Sequence, residues 1–377
     1  MRRTADVVII GGGIIGCATA YYLAKLGQKV IVVEREYLAA GSTGRCLGGI
    51  RQQFSTETAI KVAMGSVKLF NEMEEELGRS VEWYPGGYLL LAHSEEQKTE
   101  YLKAIELQKS LGLPVEFISP EEILEIVPCL NSEDLVGAAY CPTDGQANPF
   151  LVVNAYADGI KRFGGKILAY TEVTEIITQS DKITSVKTNR GDELFTPCVL
   201  NAAGPWAKEI GKMVGLDLPI EPERHEALVT EGTERMFDPM LVDYRADGCY
   251  FFQRVVSNNF IGCYTPATPI KGTSKGSSLE FISEMARRMI RLVPKLEDVK
   301  ILRQWGGSYC MTPDGNPIMD KTEVDGFYVA GGMSGHGFML GPMLGKLMAE
   351  FMTMGESSIP LNEFSLKRKF AKKEALK

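Results

Sequence analysis

The stretch from position 41 to position 54 combines residue types that can bind a small anion. It reads GSTGRCLGGIRQQF and places Arg45 and Arg51 among glycines and hydroxyl-bearing residues. Glycines let a backbone approach a ligand closely, and a guanidinium can hold both oxygens of a carboxylate or phosphate. The sequence therefore predicts that this loop lies against a ligand, and the rest of the chain has to show which one.

A glycine-rich turn near the N-terminus predicts a dinucleotide site. Gly11, Gly13 and Gly16 form G-x-G-x-x-G in ADVVIIGGGIIGCATAYYLAKLGQKVIVVER, whose pattern is strand, turn, helix and strand. The three glycines allow the tight turn, the approach of a pyrophosphate and close packing of helix and strand. Glu34 ends the second strand, where its carboxylate can accept the ribose hydroxyls and argues against a 2′-phosphate. The motif does not separate NAD from FAD, and a turn that serves packing alone is the alternative.

Three histidines are available for acid–base chemistry. His93 follows the apolar run GGYLLLA and is expected on a solvated loop. His225, in EPERHEALVT, begins a predicted strand, where it either lines a pocket or is a buried structural residue. His336, in SGHGFM, either touches the substrate pocket or only fixes its own loop. Tyr250 and Tyr309 are candidate pocket walls, although an aromatic residue in CYFFQR is as often in the core.

Composition excludes several classes of protein. The 377 residues, 45% of them hydrophobic, can bury a large core in two lobes, and a net charge of -7 offers no broad basic face to nucleic acid. The eight cysteines form no C-x-x-C pair or Cys/His cluster, so we expect no metal site. No apolar leader precedes the first strand, and Lys346 and Glu350 interrupt the apolar segment GFMLGPMLGKLMAEFM. We therefore expect a cytoplasmic chain without a membrane span.

Two later segments must complete the nucleotide fold. GKILAYTEVTEIITQSDKITSVKTNRGDELFTPCVLNAAGPW indicates a strand meander and then a buried strand that ends in small residues. DGFYVAGGMSGHGFMLGPMLGKLMAEFM is again strand, glycine loop and helix, and its loop can press against a flat ring. The nucleotide domain is therefore predicted to consist of separated pieces of chain.

Five motifs in the same order identify a family resemblance. The chain resembles, over nearly its full length, the flavoprotein amine and amino-acid oxidoreductases that include glycine oxidase, sarcosine oxidase and D-amino-acid oxidase. The motifs GSTGRCLGGIRQQF, PTDGQANPF, EPERHEALVT, TPDGNPIM and SGHGFM are most similar to the β subunit of dye-linked L-proline dehydrogenases. We predict an α/β fold, α+β overall, with a discontinuous Rossmann-like FAD-binding domain (1–82, 144–216 and 325–377) and a substrate domain with a mainly antiparallel sheet (83–143 and 217–324).

The resemblance implies non-covalent FAD. It places phosphate at the 41–45 loop, the flavin ring at residues 48–50 and at the C-terminal glycine loop, and the N-terminal dipole of the last helix at the charge of the reduced flavin. A core position is the alternative for Trp206. The residues predicted to contact FAD are Gly11, Gly12, Gly13, Ile14, Ile15, Gly16, Glu34, Arg35, Gly41, Ser42, Thr43, Arg45, Gly48, Gly49, Ile50, Val173, Ala202, Ala203, Gly204, Trp206, Gly307, Gly332, Ser334, Gly335, His336, Gly337 and Phe338.

The resemblance also implies the chemistry. A hydride leaves the substrate Cα–H for flavin N5 and an imine forms, while the protein orients the substrate and excludes water. Tyr309 and Met339 stand where related oxidases carry carboxylate-binding side chains, so we predict that Arg51 binds the carboxylate. Arg45 lies nearer the phosphates or is structural, and an ion pair at the domain boundary is the alternative for Arg51. The residues predicted to act on the substrate are Arg51, His225, Tyr250 and His336.

The electron acceptor separates the remaining hypotheses. Phe260 stands where the resemblance places an oxygen-activating lysine, which favours a dehydrogenase of a small or secondary amino acid of the L-proline or sarcosine type. The resemblance further implies a hetero-oligomer, with a partner subunit that accepts electrons and a second flavin at the subunit interface; DGQANPF has no histidine for covalent attachment. The alternatives are a stand-alone glycine, sarcosine or D-amino-acid oxidase that produces hydrogen peroxide, and a non-catalytic FAD-binding scaffold subunit.

Overall fold

The computed structural model describes residues 3–371, 374 and 376. Its α-helices are α1 (Ile14–Lys25), α2 (Glu57–Leu77), α3 (Glu95–Ser110), α4 (Pro120–Ile126), α5 (Pro149–Arg162), α6 (Ala207–Lys212), α7 (Leu279–Leu292) and α8 (Gly337–Met354). Its strands are β1 (Arg3–Thr4), β2 (Val7–Ile10), β3 (Val30–Val33), β4 (Gly49–Ile50), β5 (Tyr88–Ala92), β6 (Glu116–Ile118), β7 (Gly137–Cys141), β8 (Gly145–Gln146), β9 (Lys166–Leu168), β10 (Val173–Gln179), β11 (Lys182–Thr188), β12 (Glu193–Phe195), β13 (Val199–Asn201), β14 (Glu221–Gly232), β15 (Met240–Asp243), β16 (Tyr250–Gln253), β17 (Asn259–Cys263), β18 (Ile270–Lys271), β19 (Ile301–Met311), β20 (Ile318–Lys321) and β21 (Phe327–Gly331).

A six-stranded sheet carries the N-terminal glycine turn. Its strand order is β20-β21-β13-β2-β3-β9, and every pair is parallel except β20 with β21. β2 and β3 consist of Val and Ile and are buried at every residue, as expected for parallel strands that are covered on both faces. The sheet is assembled from three distant parts of the chain, so the prediction of a discontinuous α/β fold is confirmed.

Helix α1 is the centre of one layer on this sheet. It packs against α8 and α5, and α8 also packs against α2. Ten of the twelve residues of α1 are buried, because the helix is covered on several sides by the sheet and by its neighbours. The first helix and the last one are therefore in direct contact, and the two glycine loops that precede them open toward the same space.

The second large sheet has nine strands. Its order is β18-β14-β17-β16-β15-β5-β7-β6, with β19 also paired to β14, and the pairs are antiparallel except β5 with β15. Helix α7 buries Phe281, Met285, Met289 and Leu292, at the spacing of one helix face. The expectation of a mainly antiparallel second sheet is confirmed.

Two observations bear on the predicted domain limits and exclusions. The sequence analysis starts the last segment of the FAD-binding domain at residue 325. β20 precedes that residue and yet belongs to the six-stranded sheet, and the domain limits stay a prediction. Among the described residues, no helix is long and apolar enough to span a membrane. The same residues contain no cluster of three or more His, Cys, Asp or Glu side chains that could hold a metal ion.

Candidate active site

A cavity of about 270 Å³ is lined by residues of both large sheets. At one end it begins at the carboxyl ends of β2 and β3, with Ile10 and Val33. At the other end it reaches His225 on β14 and Tyr309 on β19. The carboxyl ends of parallel strands are where open α/β sheets bind ligands.

The glycine turn at the first end requires glycine at two positions. Gly11 has φ +112°, and a Cβ there would lie 2.4 Å from the Ala202 carbonyl oxygen; a Cβ on Gly16 would lie 2.0 Å from the Gly11 carbonyl oxygen. The turn delivers the N-terminus of α1 to the cavity, where Ile14 and Ile15 are in the wall. The positive end of the helix dipole therefore faces the space in which the motif predicts a pyrophosphate.

The Glu34 carboxylate is fixed at the end of β3. Its Oε2 accepts a hydrogen bond from Gly12 N–H at 2.7 Å, and its Oε1 accepts one from Glu36 N–H at 2.8 Å. Glu34 also lines the cavity, so the same carboxylate can brace the turn and accept a ribose hydroxyl.

Trp206 lies in the cavity wall and not in the core. The Arg35 guanidinium carbon is 3.7 Å from the centre of the Trp206 ring, a stacked cation–π arrangement. Both residues line the cavity together with Val173 and Ala203. The structure thus places Trp206 at the predicted cofactor wall, and Arg35 stacks on its ring.

Three polar side chains meet at the opposite end. The His225 and Tyr309 rings stack with centroids 3.8 Å apart, and the Tyr309 hydroxyl lies 2.8 Å from the Tyr250 hydroxyl. Strand register explains the stack, because His225 pairs with Gly307 while Tyr309 lies two residues further along β19. Cys263, which pairs with Tyr250, also lines this end.

Burial keeps these three groups uncharged. It lowers the pKa of His225 from 6.5 to about 4, and it raises the pKa of both Tyr250 and Tyr309. His225 Nδ1 has no hydrogen-bond partner among the described residues. At neutral pH this end of the cavity therefore offers a neutral imidazole and protonated hydroxyls, which can bind a polar ligand without adding a charge.

The predicted anchor Arg51 lies outside the cavity lining. Its side chain donates to the Gln53 carbonyl at 2.9 Å and to the Leu376 carbonyl at 2.8 Å, and its Nη2 lies 3.3 Å from His336 Nε2. The guanidinium also lies 4.6 Å from the centre of the Phe54 ring. No ion pair within residues 3–371, 374 and 376 involves Arg51, so the structure shows neither a free anchor nor the alternative ion pair at a domain boundary.

Asp144 organises the loop that carries Arg51, and the sequence reasoning assigned it no role. The Asp144 carboxylate is fully buried and accepts hydrogen bonds from Gln52 N–H, Gln52 Nε2 and Gln53 Nε2, at 2.8, 2.9 and 3.1 Å. Burial raises its pKa to about 6, although these hydrogen bonds act in the opposite direction. Asp144 belongs to the motif PTDGQANPF, which supports the family resemblance, but the motif does not show that this aspartate contacts Gln52 and Gln53.

Most of the predicted contact residues line the cavity. Those in its wall are Gly11, Gly13, Ile14, Ile15, Glu34, Arg35, Gly41, Ser42, Thr43, Arg45, Gly48, Gly49, Val173, Ala202, Ala203, Gly204, Trp206, His225, Tyr250, Gly307, Gly335, Gly337 and Phe338. Outside the wall are Gly12, Gly16, Ile50, Arg51, Gly332, Ser334 and His336. Gly12 donates to Glu34 and Ser334 bonds to Thr312 N–H, so these two residues hold the loops that form the wall.

The expected environment of His93 was wrong, whereas the match of Phe260 to an oxygen-activating lysine stays a prediction. The His93 side chain is only 4% exposed, with Nε2 3.9 Å from Asp243 Oδ2, because β5 delivers it next to the buried end of β15. Phe260 is fully buried against Phe237 and Phe251. Since side chains alternate along a strand, Phe260 faces away from the side on which Cys263 meets the cavity.

Comparisons with known proteins agree with this geometry. A family model described as FAD dependent oxidoreductase matches residues 6–351. Glycine oxidase of Geobacillus kaustophilus is 30% identical over 99% of each chain, and sarcosine oxidase subunit beta of Rhodobacter capsulatus is 30% identical over 97% of this chain and 89% of the other.

A solved structure of L-proline dehydrogenase from P. horikoshii superposes with a TM-score of 0.93 at 36% identity, covering 97% of this chain and 98% of that one. Human and mouse mitochondrial sarcosine dehydrogenases also match, and the chain spans only 42% of their length.

Proposed function

Because the chain belongs to the FAD-dependent oxidoreductase family, we propose that it oxidises a small or secondary amino acid of the L-proline or sarcosine type, with non-covalent FAD in the large cavity. Oxidation of amino acids or amines is the activity that the names of its relatives share. The observation that carries the proposal is a single cavity with a dinucleotide turn at one end and the neutral trio His225, Tyr309 and Tyr250 at the other.

The residues at the dinucleotide end fit FAD. Gly11 and Gly16 leave the backbone bare where a Cβ would clash, the α1 N-terminus suits the pyrophosphate, and Glu34 suits the ribose. Gly49 and Phe338, from the two glycine loops, also line the cavity, and the family resemblance assigns these loops to the flavin ring. When bound, FAD supplies the acceptor for a hydride from the substrate carbon next to nitrogen, Cα in our proposal.

The polar trio suits a substrate amine in its neutral form. Hydride loss from carbon is driven by the nitrogen lone pair, so the amine has to be unprotonated. A neutral His225 can accept a hydrogen bond from the amine N–H, and no carboxylate belongs to this trio to favour an ammonium ion. The Tyr250 and Tyr309 hydroxyls share one hydrogen bond, which leaves one of their two protons to donate to the substrate carboxylate.

The role of Arg51 stays a proposal. Arg51 is outside the cavity lining, so direct contact with a carboxylate in the cavity requires its guanidinium to move, and its hydrogen bonds to the Gln53 and Leu376 carbonyls oppose that movement. His336 lies behind the wall beside Arg51, and so we assign it a role in holding this loop. The hydroxyls of Tyr250 and Tyr309 are the other candidates for binding the carboxylate.

We propose that electrons pass to a partner subunit and not to oxygen. Within the described part of the chain, no lysine lines the large cavity itself and Lys275 lines only its narrow extension, and one relative is by name a subunit, sarcosine oxidase subunit beta. A second flavin at the subunit interface and a cytoplasmic location belong to the same proposal. A stand-alone oxidase is the second candidate, because glycine oxidase matches over 99% of both chains.

Steady-state assays separate the two candidates. The FAD-loaded chain is mixed with L-proline, sarcosine, glycine and D-alanine, and reduction of an artificial dye without oxygen is compared with peroxide formation in air. Dye reduction without peroxide supports the dehydrogenase, and peroxide at the rate of substrate loss supports the oxidase. L-Proline deuterated at Cα should react more slowly than L-proline deuterated at Cδ; the reverse order would place the hydride donor at Cδ.

A further inference from the structure

An ion pair joins the two halves of the molecule beside the dinucleotide end of the cavity. Lys275 Nζ lies 2.8 Å and 2.9 Å from the two carboxylate oxygens of Glu36. Lys275 belongs to the loop between β18 and α7, and Glu36 follows β3 at the predicted ribose site. The hydrogen bond from Lys275 lowers the pKa of the Glu36 carboxyl, so this carboxyl is ionised at neutral pH.

The loop that carries Lys275 covers a narrow extension of the large cavity. Thr273, Ser274 and Lys275 line this extension from one side, and Arg45 and Trp206, which also line the large cavity, are on the other. The Lys275 carbonyl accepts a hydrogen bond from Gly306 N–H of β19 at 3.1 Å. The loop is thus attached to the antiparallel sheet by its backbone and to the dinucleotide domain by one side chain.

We propose that the Lys275–Glu36 ion pair is a latch that holds this loop over the bound dinucleotide and limits the rate at which FAD leaves. Glu36 is itself in the cavity wall, next to Arg35, which stacks on Trp206. The ion pair therefore connects the wall of the large cavity to the loop over its narrow extension, and it has to break before the loop can swing away. The inference uses FAD binding alone and does not depend on which amine is oxidised.

The expected effects follow from the exposure of the pair. The Lys275 and Glu36 side chains are 42% and 35% exposed, so the attraction is modest. Lys275→Met should speed FAD release about two- to fivefold. Lys275→Glu places two carboxylates together and should speed it about tenfold. Adding Glu36→Lys to Lys275→Glu restores opposite charges and should return the rate to within about twofold of wild type.

The experiment follows the rise in free-flavin fluorescence after each FAD-loaded variant is diluted. Lys271→Glu is the matched control: it makes the same charge change on exposed Lys271 of β18, which forms no ion pair among the described residues. High salt should speed release from the wild-type chain and leave Lys275→Met almost unchanged. The wild-type part of this comparison needs no substitution, so it can be measured even where a variant folds poorly.

Three results would overturn the latch. One is a release rate for Lys275→Met equal to that of wild type. Another is a Lys271→Glu chain that releases FAD as fast as Lys275→Glu. The third is a charge-swapped double variant that stays as fast as the single reversal.

Discussion

The His225 imidazole should stay unprotonated down to about pH 5. It is buried and stacks on Tyr309, and burial lowers its pKa from 6.5 to about 4. In the unfolded chain the same ring titrates near its ordinary pKa. Between these two pKa values the unfolded chain binds a proton on His225 and the folded chain does not. The stability that depends on neutral His225 is therefore complete above pH 6.5 and is lost as the pH falls toward 4.

The size of this effect follows from the two pKa values. Lowering the pH from about 8 to about 5 should cost about 2 kcal/mol of unfolding free energy through His225 alone. Asp144 acts in the opposite direction, because its folded-state pKa is raised to about 6 and the folded chain takes up its proton first. His225→Phe removes the first effect and keeps the second. The variant should therefore lose about 2 kcal/mol less than wild type over the same interval.

NMR reports the titration directly, because the chain has only three histidines. Imidazole carbon signals of histidine-labelled protein are followed from about pH 8 to pH 5, and His225→Phe identifies the signal by its disappearance. We expect no titration of that signal above about pH 5. A midpoint near 6.5 would show that the ring is solvated and would refute the neutral acceptor that the proposed amine binding requires.

Three further predictions concern single side chains. Glu34→Ala removes the acceptor for Gly12 N–H and for the ribose and should weaken FAD binding by about 1–3 kcal/mol, as measured by flavin titration of the FAD-free chain; unchanged affinity would mean that the ribose is held elsewhere. Arg51→Met should lower the ratio of the flavin reduction rate constant to substrate Kd by about 10²–10³, and its FAD content should stay normal. Full activity, or a loss explained by missing FAD, would mean that another residue binds the carboxylate. Tyr309→Phe removes the hydrogen bond to Tyr250 and should raise substrate Kd about two- to tenfold without changing FAD affinity, and equal Kd values would remove the tyrosine pair from the substrate site.

The βαβ unit with its glycine turn was predictable because its signals are local. Gly11, Gly16 and Glu34 lie within one βαβ unit, and the buried Val and Ile runs on either side fix where the turn must be. The C-terminal strand, glycine loop and helix α8 were predictable for the same reason, since they follow one another directly, although Gly332, Ser334 and His336 of that loop lie outside the cavity wall.

The substrate half depends on contacts that sequence does not display. His225 meets Tyr309 only because β14 and β19 pair in one register across a long stretch of chain. Tyr88 and Cys263 come from strands whose apolar pattern indicates core, yet both line the cavity. Arg51 is held by the Leu376 carbonyl, which is far away in the chain, so no local pattern could show that it lies behind the wall.

Anaerobic reduction of the bound flavin tests the central claim most directly. The FAD-loaded chain is mixed without oxygen with L-proline, sarcosine, glycine and D-alanine in turn, and the visible absorption of oxidised flavin is followed. We predict that at least one secondary or small amino acid bleaches the flavin in a single turnover, with a rate that saturates as its concentration rises. A flavin that none of these substrates bleaches, in a chain that dithionite reduces normally, would contradict amino-acid oxidation and support a non-catalytic FAD-binding scaffold.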